Sequence, residues 1–346
     1  MSIRWSAEWE PHQGIWVAWP HNEEDWPGRF GPVPWVFADF LKKLARFEHL
    51  HIFAQKNLRP DMLDIFERVG IKPEDYTLHD YATNRVWTRD FCSTWIQESG
   101  EFMDNNGLTA VKWQFNGWAK YDNWQADEAA GIRVFDDDTI LPSRNGRRIV
   151  LEGGSIDGNG HGTMLTTREC LLSDVQCRNP GFTQADYEAV FKDYLGINHT
   201  IWLNKGIAGD DTHGHIDDLA RFVNRDTVVC VYESDKNDVN HEPTKENVEI
   251  LRNSKNADGK PISVITLPMP APIIFDGQRL PASYANFLIA NGAVFVPTFN
   301  DAHDRHALTT LAHCFPDREI ISIYCGDLVW GLGTLHCMTM QMPAPV

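Results

Sequence analysis

Near the C-terminal end, Gly331-Leu-Gly333-Thr-Leu-His-Cys337-Met-Thr sets one cysteine behind a glycine-rich turn. Three other segments carry reactive side chains: Trp87-Thr-Arg-Asp90, Glu152-Gly-Gly154 and His213-Gly-His215-Ile-Asp217. A thiolate is a strong nucleophile, an imidazole moves protons near neutral pH, and carboxylates hold a cation in place. Together they form the set that covalent attack on a cationic, planar carbon such as a guanidinium requires.

Each segment also has a plainer reading. On a strand, His213, His215 and Asp217 would share a face, and three outcomes follow. The run is a polar strand end or helix cap without chemistry; or it is a zinc site of the HxHxD kind; or His215 is a general acid/base and Asp217 a ligand for positive charge. The third is favoured, because HxHxDH zinc hydrolases place a histidine where this chain has Asp218. Trp87 and Asp90 can offer an aromatic face and a bidentate carboxylate to a guanidinium, although a structural Trp with a surface Asp–Arg pair is the default. Glu152, at the end of an expected strand, either caps a helix or orients an imidazole. Most cysteines are inert core residues, so Cys337 gains its standing from the turn before it. Cys92, two residues after Asp90, is its rival.

These residues must be positioned by a chain of 346 residues, of which 42% are hydrophobic and 23% charged, as in an ordinary well-cored soluble protein. The formal net charge of −17, with 48 acidic against 31 basic residues, disfavours nucleic acid and suits a small cationic partner. Thirteen Trp and eighteen Phe promise an aromatic core or pocket wall. An odd number of cysteines with no CxxC argues against a disulfide framework. With no secretory leader pattern and no apolar run near the ~20 residues of a membrane span, a cytoplasmic, non-membrane setting is expected.

Short β-rich runs at 14–19, 49–54, 148–151, 227–232, 262–267, 292–297 and 320–324 read as buried strands. Helical spacing appears at 36–47, at 186–195 before Gly196, and at 304–313. The polar stretches 122–138 and 233–256 read as surface loops. No linker divides the chain, so one α/β domain spanning residues 1–346 is expected.

Further segments complete a pattern: Glu10-Pro-His-Gln-Gly-Ile-Trp-Val-Ala-Trp-Pro20, Asp211-Thr-His-Gly-His215-Ile-Asp217-Asp-Leu-Ala-Arg-Phe and Ala282-Ser-Tyr-Ala-Asn286-Phe. With the motifs above, they make the chain resemble the agmatine deiminase and bacterial peptidyl-arginine deiminase family of guanidino-group modifying enzymes over nearly its whole length. The resemblance implies a five-bladed propeller of ββαβ units (the pentein fold). It implies a hydrolase that converts agmatine to N-carbamoylputrescine and ammonia, with no metal and no organic cofactor. Cys337 matches the nucleophile and His215 the acid/base. Asp90 and Asp217 match the carboxylates that grip the guanidinium, and Glu152 matches the group that orients His215. Trp87 and Asn286 match substrate contacts. A homo-oligomer is compatible with the chain. Peptidyl-arginine is the alternative substrate, a zinc hydrolase built on the HxHxD run is the alternative chemistry, and a non-catalytic polyamine binder is a third reading. The chain departs from the family at Phe91-Cys92-Ser93, where relatives often carry x-Gly-Pro, and His213 stands where some carry Asp.

Overall fold

Six of the seven apolar runs form strands in a computed structural model that describes residues 2–99, 107–133 and 139–345. They fall into a recurring unit: two antiparallel strands, a helix, and a third strand parallel to the second. Asp157–Gly158 and Thr163–Thr167 lead through the helix Gln184–Leu195 to His199–Leu203. Ala220–Asn224 and Thr227–Tyr232 lead through His241–Arg252 to Ser263–Pro268. Leu288–Ala290 and Ala293–Thr298 lead through Asp304–Cys314 to Glu319–Tyr324. In a fourth sheet the two ends of the chain meet. There Met340–Pro343 pairs antiparallel with His12–Ala18, followed by the helix Val33–Leu44, Leu50–Phe53, the helix Arg59–Val69 and Tyr76–His79. A fifth sheet, all antiparallel, joins Ser2–Trp5, Thr94–Ser99 and Leu108–Val111.

The repetition matters because each reactive segment occupies the same place in its own sheet, just ahead of the first antiparallel strand. Asp90 precedes Thr94–Ser99, Glu152 precedes Asp157–Gly158, and His215 with Asp217 precedes Ala220–Asn224. Asn286 precedes Leu288–Ala290, and Cys337 precedes Met340–Pro343. Residues scattered over the sequence are thus delivered by equivalent turns.

Three expectations need correction. Residues 148–151 do not run as one strand: Val150 makes a single parallel bridge to Gln114, separate from a short hairpin that ends at Arg147–Arg148. Beyond it the Asn179 side-chain amide binds both the N–H and the C=O of Val150, standing in for a neighbouring strand. The expected loop 233–256 contains the helix His241–Arg252, whose buried face includes Thr244 and Asn247 as well as Val248 and Leu251; that polar content hid its period. The expected loop 122–138 contains the helix Gln125–Arg133, and residues 134–138 lie outside the described residues.

The helix Gln184–Leu195 follows the expected rules. Thr183 and Asp186 cap each other reciprocally, and Gly196 ends the helix at φ +69°. Its buried Tyr187, Phe191 and Leu195 pack with Trp113 and Trp202 into a smaller apolar cluster beside the main core. No helix among the described residues is long and apolar enough to cross a membrane.

Gly196 has a second duty, since a Cβ there would stand 2.1 Å from the carbonyl of Ile3 on the N-terminal strand. Gly196→Ala is expected to destabilise the protein by at least about 1 kcal/mol, from the left-handed backbone alone. The check is the midpoint of urea unfolding; a midpoint equal to wild type would mean that the strand yields freely.

Candidate active site

The turn ahead of Cys337 is tight for a physical reason. A Cβ on Gly333 would sit 2.7 Å from the Trp87 ring and 3.2 Å from the Cys337 Cβ, so only glycine lets the two approach. Cys337 is 8% exposed. Its sulfur accepts a hydrogen bond from Asn286 Nδ2 at 3.0 Å, and its thiol reaches Asp217 Oδ2 at 3.5 Å. Asn286, expected among the substrate contacts, sits beside the thiol, and its Oδ1 accepts from Thr334 Oγ1 and the His336 N–H.

The HxHxD run is not a strand. Asp210 Oδ2 accepts from the N–H groups of Gly214 and His215, both at 2.8 Å, folding the run into a turn that ends in the short helix Ile216–Asp218. His213 is thrown outward at φ +66°, where its Nε2 meets Ser173 Oγ at 3.1 Å. Hence His213, His215 and Asp217 form no converging metal-donor group among the described residues. Two other buried triads do bring donor atoms within 4.8 Å of one another: Glu152, Cys170 and His215, and Asp217, Asp218 and Cys337. Cys92 is buried, its thiol pushed far above the usual range mainly by burial, and it does not line the pocket that Cys337 enters.

Around His215 the carboxylates converge. Asp90 Oδ1 lies 3.8 Å from His215 Nδ1, and Glu152 Oε2 lies 3.7 Å from His215 Nε2. Neither distance is a hydrogen bond, and both are close enough for strong attraction. Asp90 is held by Trp118 Nε1 at 2.9 Å and by the Gly154 N–H at 3.0 Å. The second glycine of Glu152-Gly-Gly154 is obligatory here: a Cβ on it would lie 2.6 Å from His215 Nδ1 and 2.9 Å from Asp90 Oδ1. Arg89 turns away from Asp90 into the core, where it donates to Gln341 Oε1 at 2.6 Å.

The charge states follow from these contacts. Burial raises Asp90 to about 6, with His215 opposing and Asp217 adding to the rise. Burial also opposes ionisation of Glu152, but the Arg178 guanidinium at 3.1 Å outweighs it and holds that carboxylate at about 2. His215 is disfavoured as a cation by burial, yet Asp90 and then Cys170 and Glu152 raise it well above the usual imidazole range. Burial, then Asp217, Asp218 and Asp90, hold the Cys337 thiol well above the usual thiol range, with Asn286 opposing. The empty site therefore pairs a protonated imidazole with a protonated thiol.

A second network lies behind Asp217. His336 bridges Asp217 Oδ2 at 2.7 Å and Glu8 Oε2 at 2.8 Å through its two ring nitrogens. Glu8 in turn accepts from Arg221, which also donates to Asp157 at 2.6 Å. Sequence reading missed Arg178, His336, Glu8, Arg221 and Trp118. Their residue types are ordinary, and only distant backbone segments bring them to the site. A weak signal existed for two of them, since His336 adjoins Cys337 and Arg221 closes the run that begins at Asp211.

Cys337 and Asp90 open into a pocket of about 420 Å³ walled by Trp87, Trp118 and Trp330. Its more exposed lining includes Glu24 and Asp211, the latter bound to Lys120 and Tyr121. Asp25 also lines it and is raised to about 7 by burial, with the Arg85 guanidinium opposing from 3.4 Å. Asp217 Oδ1, His215 Nε2 and Asp25 Oδ2 are among the buried polar atoms that lack a hydrogen-bond partner among the described residues.

Residues 4–343 match the family described as Porphyromonas-type peptidyl-arginine deiminase. Agmatine deiminase of Pseudomonas aeruginosa (strain LESB58) is 31% identical, the alignment covering 99% of this chain and 96% of that protein. Agmatine deiminase of Enterococcus faecalis superposes with a TM-score of 0.90 at 28% identity, covering 100% of this chain and 97% of the other. A Cys-to-Ser agmatine deiminase of C. jejuni, solved with substrate bound, superposes at 0.86 and 28% identity over 99% of this chain and 97% of the other.

Glu8 is held well below the usual carboxylate range: burial opposes its charge, but Arg221 and His336 overcome it. Its stabilisation is thus present above the unfolded-state value and lost as pH falls. Glu8→Gln, which leaves Arg221 short of a countercharge, is expected to cost about 3–5 kcal/mol in urea unfolding at pH 7. A loss below about 1 kcal/mol would remove this network as the support of Asp217.

Proposed function

Because the chain belongs to the Porphyromonas-type peptidyl-arginine deiminase family, we propose that it hydrolyses the guanidino C–N bond of agmatine, releasing ammonia and N-carbamoylputrescine. The observation that carries this reading is Asp217. One of its oxygens touches the Cys337 thiol while the other is buried without a hydrogen-bond partner among the described residues. An unpaired buried carboxylate oxygen is costly, and a guanidinium N–H would satisfy it.

In the proposed reaction the guanidinium lies between Asp90 and Asp217, its plane against Trp87. Two anions that raise the thiol's proton affinity in the empty site are neutralised by the bound cation, so substrate itself favours the thiolate. As the cation binds, the Cys337 thiol gives up its proton to solvent, and the thiolate sulfur bonds to the guanidinium carbon while the C=N π pair moves onto nitrogen. His215 gives its proton to the departing nitrogen, and the C–N bond breaks to release ammonia and leave an S-alkylthiouronium. Water, deprotonated by His215, adds to the same carbon, and the C–S bond breaks to give the ureido product and the Cys337 thiolate, the added hydroxyl losing its proton to solvent as the carbonyl forms. Glu152, fixed by Arg178, holds the imidazole for both proton transfers. Asn286 steadies the sulfur. The chain acts as one catalytic domain, its five sheets of three or four strands read as the blades of a propeller around this centre.

The preference for agmatine rests on the far end of the pocket. Asp25, Glu24 and Asp211 line it, and Asp25 Oδ2 has no hydrogen-bond partner among the described residues. Such a lining suits a distal ammonium better than the carboxylate of free arginine. The deciding assay offers agmatine, free arginine and an arginine peptide and measures ureido product and ammonia. Turnover of agmatine above the other two is expected; preferential turnover of the peptide would move the substrate assignment within the family, and no product from any would overturn the reading.

Two variants test the roles. Cys337→Ser should retain no more than a trace of turnover. Asp90→Asn should lose about 2–4 kcal/mol of transition-state stabilisation, read as a fall of roughly two orders of magnitude or more in kcat/KM. Wild-type values in either would withdraw that role.

The pH profile gives a third test. In the free enzyme Asp90 takes up a proton near pH 6, which removes one of the two anions that grip the cation. kcat/KM should therefore fall as pH drops through about 6, and kcat should fall less, since bound guanidinium keeps Asp90 ionised. A kcat/KM that is flat from pH 7 to pH 5 would contradict the assignment.

A further inference from the structure

On the sheet that joins the chain ends, three histidines occupy one face. His51 lies on the strand Leu50–Phe53 and His79 on the parallel strand Tyr76–His79; the register places Thr77 opposite His51 and His79 opposite Phe53. His51 and His79 are therefore diagonal neighbours, and His51 Nδ1 stands 3.2 Å from His79 Nε2. Trp16, on the next strand, fixes both rings, with centroids 4.5 Å from His51 and 4.6 Å from His79. Both histidines are half-buried, and neither lines the pocket that holds Cys337.

We propose that His51 and His79 form a chelating site for a divalent transition-metal ion of the imidazole-seeking class, Ni²⁺, Cu²⁺ or Zn²⁺, clamping the edge strand of this sheet to its neighbour. The bite is the first argument. With metal–nitrogen bonds of about 2.0–2.1 Å, nitrogens this far apart subtend roughly 100° at an ion, close to what tetrahedral or octahedral coordination asks. Rigidity is the second, because both ligands stand on paired strands and pack against one indole, His51 stacked and His79 tilted, so little side-chain entropy remains to be lost. The one proton shared between the two nitrogens moves to the far nitrogen of its own ring when the ion enters. His49 is adjacent but occupied, its Nε2 hydrogen-bonded to Thr77 Oγ1 at 2.8 Å, so solvent completes the coordination.

The site is tested on the untagged full chain with Ni²⁺ as probe, by calorimetric titration and thermal unfolding near neutral pH. One ion per chain is expected, with a thermal midpoint that climbs with the logarithm of free Ni²⁺. His51→Gln and His79→Gln should each weaken binding at least about tenfold and abolish the climb, while His49→Gln and Cys337→Ala bind as wild type. Cu²⁺ on the wild-type protein should give a paramagnetic resonance spectrum split by two nitrogens, a readout that survives if either variant fails to fold. The proposal is overturned by undiminished binding in His51→Gln or His79→Gln, by loss of binding in Cys337→Ala, which would move the ion to the catalytic thiol, or by a Cu²⁺ spectrum with fewer than two nitrogens. None of these readouts depends on the reaction the enzyme catalyses.

Discussion

The structure depends on keeping several carboxylates buried beside one thiol. Asp90, Asp217 and Glu152 are each nearly or fully buried, where isolated charge is strongly penalised. Each is made tolerable differently. Glu152 has a full countercharge in Arg178; Asp217 leans on His336, Glu8 and Arg221 behind it; Asp90 accepts from an indole and a backbone N–H, with His215 nearby. The compensation stops short at Asp217 Oδ1, and the same shortfall that costs stability leaves an acceptor for a cation.

Backbone geometry makes that crowding attainable. The candidate reactive groups reach one point because each stands on the turn ahead of its own sheet, and the turns approach closely only where a side chain is missing. Gly154 lies against His215 and Asp90, and Gly333 against Trp87 and Cys337. Asp210 supplies the remaining constraint by tying the backbone just before His215, which aims that imidazole inward and His213 outward. Two histidines two residues apart thus end in opposite surroundings.

The chain's strong acidity finds a local use in the pocket. Glu24, Asp25 and Asp211 line the same pocket as Asp90 and Cys337, while Arg85 and Lys120 neutralise part of their charge. A fully unpaired acidic funnel would repel its own members; the paired arrangement spends only some of its charge on the ligand.

Much of this was legible in residue order, and the rest was not. Strand runs such as 227–232 and 292–297 declared themselves because they are buried on both faces, and the glycine-bounded helix before Gly196 because its capping chemistry is local. Cys337, His215, Asp90, Asp217 and Glu152 stood out because few side chains do this chemistry and each sits in a motif. The helix at 241–252 escaped because its buried face carries polar residues, and the strand expected at 148–151 is reduced to a hairpin end and one bridge to Gln114, with the distant Asn179 side chain holding the other edge of Val150. What the sequence by itself determined was the inventory of reactive groups and the local turns that carry them. Only the tertiary structure decided that Asn286 holds sulfur, that His213 faces away, and that Arg178 and His336 set the charge of the centre. Those outcomes depend on distances between segments far apart in the chain, and electrostatic attraction and close packing act through space, at ranges that residue order does not encode.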